Sequence, residues 1–161
     1  MNITAGQLKP QPLPREKLAG LSGKETLEMV MNGTLPAPPF AQTTLIDLVE
    51  VEQGRIVFAG QPDFSFLNPM GTVHGGWIAT ILDSAMGCAV HSTLKPGQLY
   101  TTTAMTINYV RPLLADSGEV RCEATVVYAG ARMATSEGRL VDGKGRVIAH
   151  GSESCLVFDA R

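Results

Sequence analysis

The sequence predicts an α+β fold in which one antiparallel β-sheet curls around a single long helix. Three observations carry this expectation. Between Gly75 and His91, residues Trp77, Ile78, Ile81, Leu82, Ala85, Met86 and Ala89 recur three and four positions apart, the spacing of a helical face. The other faces carry small residues, Ala79, Ser84, Gly87 and Cys88, so this helix reads as buried nearly all round. Elsewhere the period is two: Val120, Cys122, Ala124, Val126 and Tyr128 alternate with Glu119, Arg121, Glu123 and Thr125. Finally, the order of segments is a pair of strands, the long helix and four more strands. Alternating β–α units are absent, which disfavours a doubly wound parallel sheet and leaves one sheet wrapped on the helix.

Taken in order, residues 1–21 are rich in proline (Lys9-Pro10-Gln11-Pro12-Leu13-Pro14) and predict an extended arm. Ser22 and Glu25 have the spacing of a capping box and open a short helix with Leu27, Val30 and Met31 on its apolar face. Gly33 and the prolines from Pro36 to Pro39 stop it. The chain thus divides into an arm and short helix over 1–40 and a principal domain over 41–161. Thr43 to Val51 and Arg55 to Gly60 predict two strands joined at Glu52-Gln53-Gly54. A loop from Pro62 to Asn68 precedes the long helix, and Lys95-Pro96-Gly97 marks a loop after it. Tyr100–Arg111, Val120–Tyr128, Arg132–Val141 and Arg146–Phe158 predict a four-strand meander. Its turns lie around Pro112 to Gly118, at Ala129-Gly130-Ala131 and at the hairpin signal Asp142-Gly143-Lys144-Gly145. Such a sheet leaves edge strands to be managed, which favours self-association.

Composition narrows the function. Of the 161 residues only 17% are charged, against roughly 25% in typical domains. The shortfall predicts surface covered by another subunit, as a homodimer or as a homotetramer built from two dimers. The formal net charge is −2 with no basic block, which points away from nucleic acid and from an anionic membrane as partners. Cys88, Cys122 and Cys155 are scattered and odd in number, as expected of reduced thiols in a cytoplasmic protein. The three histidines form no ligand motif, so no metal site is expected, and the N-terminus lacks the apolar core of a signal peptide.

The chemistry concentrates at the start of the long helix. His74-Gly75-Gly76 lets a ligand approach the backbone closely, and the first turn offers unpaired N–H groups and the positive end of the helix dipole. Asp83 lies mid-helix among apolar neighbours. A carboxylate there is either partly exposed at a helix or subunit edge, or hydrogen-bonded and at work. His74 is a second candidate base; a structural hydrogen bond to the loop is the preferred reading.

Asn68-x-x-Gly71-x-x-His74-Gly75-Gly76, with Asp83 nine residues after the histidine, resembles the hotdog-fold thioesterases, specifically the phenylacetate-degradation-type (PaaI-like) acyl-CoA thioesterases. The resemblance extends over Asn108-Tyr109-Val110-Arg111-Pro112, Gly130-Ala131-Arg132 and the Asp142–Gly145 hairpin, about residues 40 to 158. It implies a hotdog fold and hydrolysis of an acyl-CoA thioester, with no metal or prosthetic group and with CoA only as part of the substrate. It further implies that Asp83 is the general base or nucleophile that activates water and that the Gly75 N–H binds the thioester carbonyl oxygen. Asn68 and His74 shape that end of the site, and Thr102 supplies a hydroxyl that orients water. Gly76, Tyr109, Val110, Arg111, Pro112, Gly130, Ala131 and Arg132 line the CoA path. Arg132 is either a phosphate partner or a solvated surface residue.

Phe64, Phe66, Trp77 and Met86 are candidates both for an acyl pocket and for plain core. Two other activities share these elements: a hotdog hydratase or dehydratase, and an acyl-CoA-binding module without turnover. Because Gly75 and Asp83 are eight residues apart on one helix, a donor and a base at those positions are expected to meet only across two subunits.

Overall fold

The computed structural model describes residues 8–13, 18 and 20–160. The extended arm expected over 1–21 therefore lies partly outside the described residues. Helix α1 (Gly23–Met31) opens with the complete capping box: the Ser22 hydroxyl accepts the Glu25 N–H, and the Glu25 carboxylate accepts the Ser22 N–H at 2.8 Å. A short helix α2 (Pro39–Thr44) follows, which the sequence reading did not anticipate. Pro39 sits in its first turn, where the missing N–H is no loss, so the proline run stops one helix and starts another. Thr43 and Thr44, expected at the head of a strand, belong to this helix. Leu45, with φ 55°, breaks it, and β1 runs Ile46–Glu52.

The remaining elements are β2 (Arg55–Gly60), a 3-10 turn (Phe64–Phe66), the long helix α3 (Gly75–His91), β3 (Gln98–Tyr109), β4 (Val120–Ala129), β5 (Met133–Val141) and β6 (Val147–Asp159). Helix α3 has the limits its apolar spacing predicts. The six strands form one antiparallel sheet in the order β1-β2-β4-β5-β6-β3. The expected four-strand meander holds for β4, β5 and β6 only: β3 pairs with β6 at the edge, and β4 pairs with β2. The connection between β3 and β4 explains the difference. It is too long for a hairpin loop and contains Pro112. Leu113 within it is buried, and its carbonyl accepts the Val73 N–H at 2.8 Å, which ties the connection beside the entry to α3 and carries the chain across the sheet.

The core lies between α3 and the inner face of the sheet. Ile81, Leu82, Ala85, Met86 and Ala89 have no exposure and share one cluster with Ile56, Cys122, Leu140, Ile148 and Ala149. Gly138 on β5 permits the close approach, since a Cβ there would lie 2.9 Å from Met86 Cγ. Helix α1 docks at the far end of α3: the Gly23 N–H donates to the Leu94 carbonyl at 3.0 Å, and the His91 carbonyl leaves no room for a side chain at Gly23.

The expectation that α3 is buried nearly all round needs correction. His74, Gly76 and Asp83 are exposed, with Thr80 and Ser84 half-buried between them. Helix α3 runs back along β3: the Tyr109 hydroxyl donates to the Gly75 carbonyl at 3.1 Å, and at the other end the His91 ring centroid lies 5.6 Å from that of Tyr100. β3 is an edge strand, so the sheet stops there and leaves one strip of the helix uncovered in a single chain. No helix among the described residues is long and apolar enough to cross a membrane.

Candidate active site

The polar turn before α3 is built by Asn68. Its Oδ1 accepts the Met70 N–H at 2.9 Å and the Thr72 N–H at 3.3 Å, while its Nδ2 donates to Thr72 Oγ1 at 2.9 Å. Both ends of the amide are thus used inside the turn, which fixes where the next residues enter the helix. His74 is the N-cap, and its Nδ1 accepts the Gly76 N–H at 2.8 Å. That bond requires an unprotonated Nδ1. It commits Nδ1 to capping the first turn of the helix. Gly75 follows as the first helical residue. Its N–H has no acceptor among the described residues, as geometry dictates for the first turn, and it lies at the positive end of a 17-residue helix. The Tyr109 ring packs over Gly75: a Cβ there would lie 3.4 Å from the ring.

Asp83 is two turns further on, exposed on the open strip of α3. Partial desolvation raises its carboxyl above the ordinary value, in the direction a base needs near neutral pH. Thr102 on β3 is exposed, and its hydroxyl is committed: it donates to Glu153 Oε1 on β6 at 2.7 Å. Glu153 was missed by the sequence reading. It is 2% exposed, on the same parity of β6 as the buried Cys155 and Val157. Burial raises its carboxyl and the Asp83 charge adds to the effect, against hydrogen bonds from Thr102 and Cys155 that lower it.

The other predicted residues fall into two groups that one chain does not bring together. Tyr109, Val110, Arg111 and Pro112 flank the N-terminal end of α3, with the Arg111 guanidinium donating to the Val147 carbonyl at 2.8 Å. Gly130, Ala131 and Arg132 form the β4–β5 turn, adjoining Met133, which pairs with Leu156. Tyr109 pairs with Ala149, so the two groups are seven residues apart along β6, roughly 23 Å at 3.3 Å per residue. Of the pocket candidates, Phe66 and Trp77 stack at 5.7 Å and the Trp77 indole N–H donates to the Thr44 carbonyl at 2.7 Å. Met86 is core, and Phe64 is exposed.

A single antiparallel sheet wrapped on one long helix is the architecture of the hotdog fold. The family profile of the thioesterase superfamily matches residues 70–149 of the chain. A candidate esterase of Halobacterium salinarum is 37% identical over 94 residues, 55% of this chain and 62% of that protein. The chain therefore spans less than two thirds of that relative's length. A candidate esterase of Pseudomonas aeruginosa is 29% identical over 122 residues, 71% of this chain and 89% of that protein. Among solved structures, a candidate thioesterase related to phenylacetic acid degradation, from Ralstonia eutropha, superposes with a TM-score of 0.74 at 26% identity, over 81% of this chain and 98% of that one.

Proposed function

We propose that the protein is an acyl-CoA thioesterase that releases a free acid and CoA. The observation that carries this reading is a free helix N-terminal donor, the Gly75 N–H, at the start of the helix whose open strip bears a carboxylate with a raised pKa, Asp83. Asp83 takes a proton from water as the water oxygen attacks the thioester carbon. The carbonyl oxygen gains the charge and is held by the Gly75 N–H. Collapse breaks the C–S bond, and the departing thiolate takes the proton back from Asp83. Thr102 orients the water, and Tyr109 to Pro112 with Gly76 and Gly130 to Arg132 hold CoA.

The family and its esterase and thioesterase relatives support this chemistry. The three free thiols, two of them buried, fit a reducing compartment such as the cytoplasm. A thiol-release assay over aryl, short-chain and long-chain acyl-CoAs is expected to give one CoA thiol per acid formed, with no water added across an enoyl-CoA. Hydration without thiol release, or stoichiometric binding without either, would replace this reading.

The working unit is a homodimer, alone or paired into a tetramer. β3 is twelve residues long, lies at the sheet edge and carries neither charge nor proline, the usual devices that keep an edge unpaired. A second copy paired there would also cover the open strip of α3. Sedimentation at micromolar concentration is expected to give a dimer or tetramer; a fully active monomer would contradict it.

A further inference from the structure

The mechanism above leaves one buried ionisable group unused. Glu153 is 2% exposed, and no cation pairs with it among the described residues. Its Oε1 accepts two hydrogen bonds, from Thr102 Oγ1 at 2.7 Å and from the Cys155 thiol at 3.2 Å. Its Oε2 is buried without a hydrogen-bond partner. It also lies outside residues 70–149, the span matched to the family. Burial without a countercharge favours the neutral acid over the carboxylate, against the two hydrogen bonds that Oε1 accepts. Because Oε1 is already an acceptor twice over, the proton belongs on Oε2.

We propose that Glu153 is a positioning residue for thioester hydrolysis: it takes the hydroxyl hydrogen of Thr102, so that Thr102 meets the attacking water only as an acceptor. A threonine hydroxyl free to rotate offers either a hydrogen or a lone pair to water. With its hydrogen fixed on Glu153, Thr102 receives a hydrogen from the water and leaves a water lone pair for the thioester carbon. The neutrality of Glu153 serves the same step. Asp83 is then the one anion among the groups that face Glu153, and a second negative charge there would oppose the oxyanion forming on the substrate. The inference rests on the thioesterase reading and deepens it.

The groups facing Glu153 are few. From α3 come Asp83 and Cys88, from β3 Tyr100, and from β6 itself Cys155. Burial pushes both cysteines to about 12 and holds Tyr100 well above its ordinary value. Below those values only the Asp83–Glu153 pair titrates, as two macroscopic steps. The working state has Asp83 ionised and Glu153 neutral: Asp83 is exposed whereas Glu153 is buried without a countercharge, so the first proton leaves Asp83. Loss of the second gives a dianion. The pH profile of kcat is therefore expected to rise and then fall.

The test compares Glu153→Gln, Glu153→Met and Thr102→Val, each checked for dimer mass and melting temperature. Glutamine keeps an acceptor for Thr102 and a donor at the second position, and it has no proton to lose. Its kcat is expected within about 3-fold of wild type at neutral pH, and the falling alkaline limb is expected to vanish. Glu153→Met preserves volume but frees the Thr102 hydroxyl; kcat is expected to drop about 10-fold with KM unchanged. Thr102→Val is expected to do the same, and the double variant no worse than either single one, because the two act as one unit. Additive losses, a glutamine variant as slow as the methionine variant, or an alkaline limb that survives in Glu153→Gln would each overturn the proposal. Asp83→Ala is run alongside. If it is inactive while the Glu153 variants match wild type, only this inference fails; if it is active, the thioesterase reading of the site fails with it.

Discussion

Replacing Asp83 by alanine is expected to lower kcat for thioester hydrolysis by about 10²- to 10⁴-fold, the range for loss of a positioned general base. KM is expected to change little, since Asp83 meets the water and the reacting carbon, whereas CoA is held elsewhere. The fold is expected to survive. Asp83 is exposed in the single chain, takes part in none of the ion pairs found among the described residues, and lies in mid-helix, where alanine is the best helix former. Linkage gives the sign for stability. A carboxyl whose folded-state pKa is raised favours the folded state below its unfolded value, and that contribution is lost as pH rises through the folded value. Above that range the variant lacks a charge that the wild type must desolvate, so its melting temperature is expected not to fall. The same pKa sets the acid limb of wild-type activity: kcat/KM should fall as pH drops through a value raised from that of an ordinary aspartate. Steady-state kinetics with a parallel melt checks both statements. A folded variant with near-normal kcat would remove Asp83 from the chemistry.

The parts of the fold that sequence reading captured are those where one physical cause acts alone. The limits of α3 follow from apolar spacing, the capping box of α1 from two side chains, and β2 from a short apolar run between two turns. Readings failed where a distant contact decides. Pro38 and Pro39 look like helix breakers, yet Pro39 at a first turn starts α2; the indole of Trp77, thirty-three residues away, then holds its last carbonyl at Thr44. The pairing of β3 with β6 depends on a ten-residue connection whose path is fixed by the burial of Leu113, and no local pattern encodes that.

The candidate site divides the same way. Gly75 and His74 were legible because a helix start has fixed hydrogen-bond needs. The exposure of Asp83 stayed one of two readings, because small residues such as Ala79 and Ser84 suit a helix face covered by the sheet as well as one left open beside Asp83. Glu153 was hidden in a strand whose two parities both mix polar and apolar residues.

Mixing two inactive variants is expected to restore activity. Gly75 and Asp83 are eight residues apart on α3, about 12 Å along the axis and roughly 80° round it. A donor and a base that serve one tetrahedral centre must each lie about 3 Å from atoms a bond or two apart, so one straight helix does not bring them together. Two copies of α3, antiparallel about a two-fold axis beside paired β3 edges, set Gly75 of one copy against Asp83 of the other. The roughly 23 Å between the Tyr109–Pro112 segment and the Gly130–Arg132 turn along β6 asks for the same partnership. Gly75→Pro removes the N–H while keeping the helix: proline is favoured at a first helical position, and His74, at φ −61° and ψ 136°, already has the extended backbone that must precede it. Alone it should lose about 10²- to 10³-fold in kcat, the loss typical of one oxyanion donor. In a mixed dimer with Asp83→Ala, one site carries both defects and the other carries neither. Random exchange makes half the dimers mixed, so activity should return to about a quarter of wild type. Verified mixed dimers with no recovery would mean that each site is contained in one chain, and the pairing of Gly75 with the partner's Asp83 would have to be abandoned.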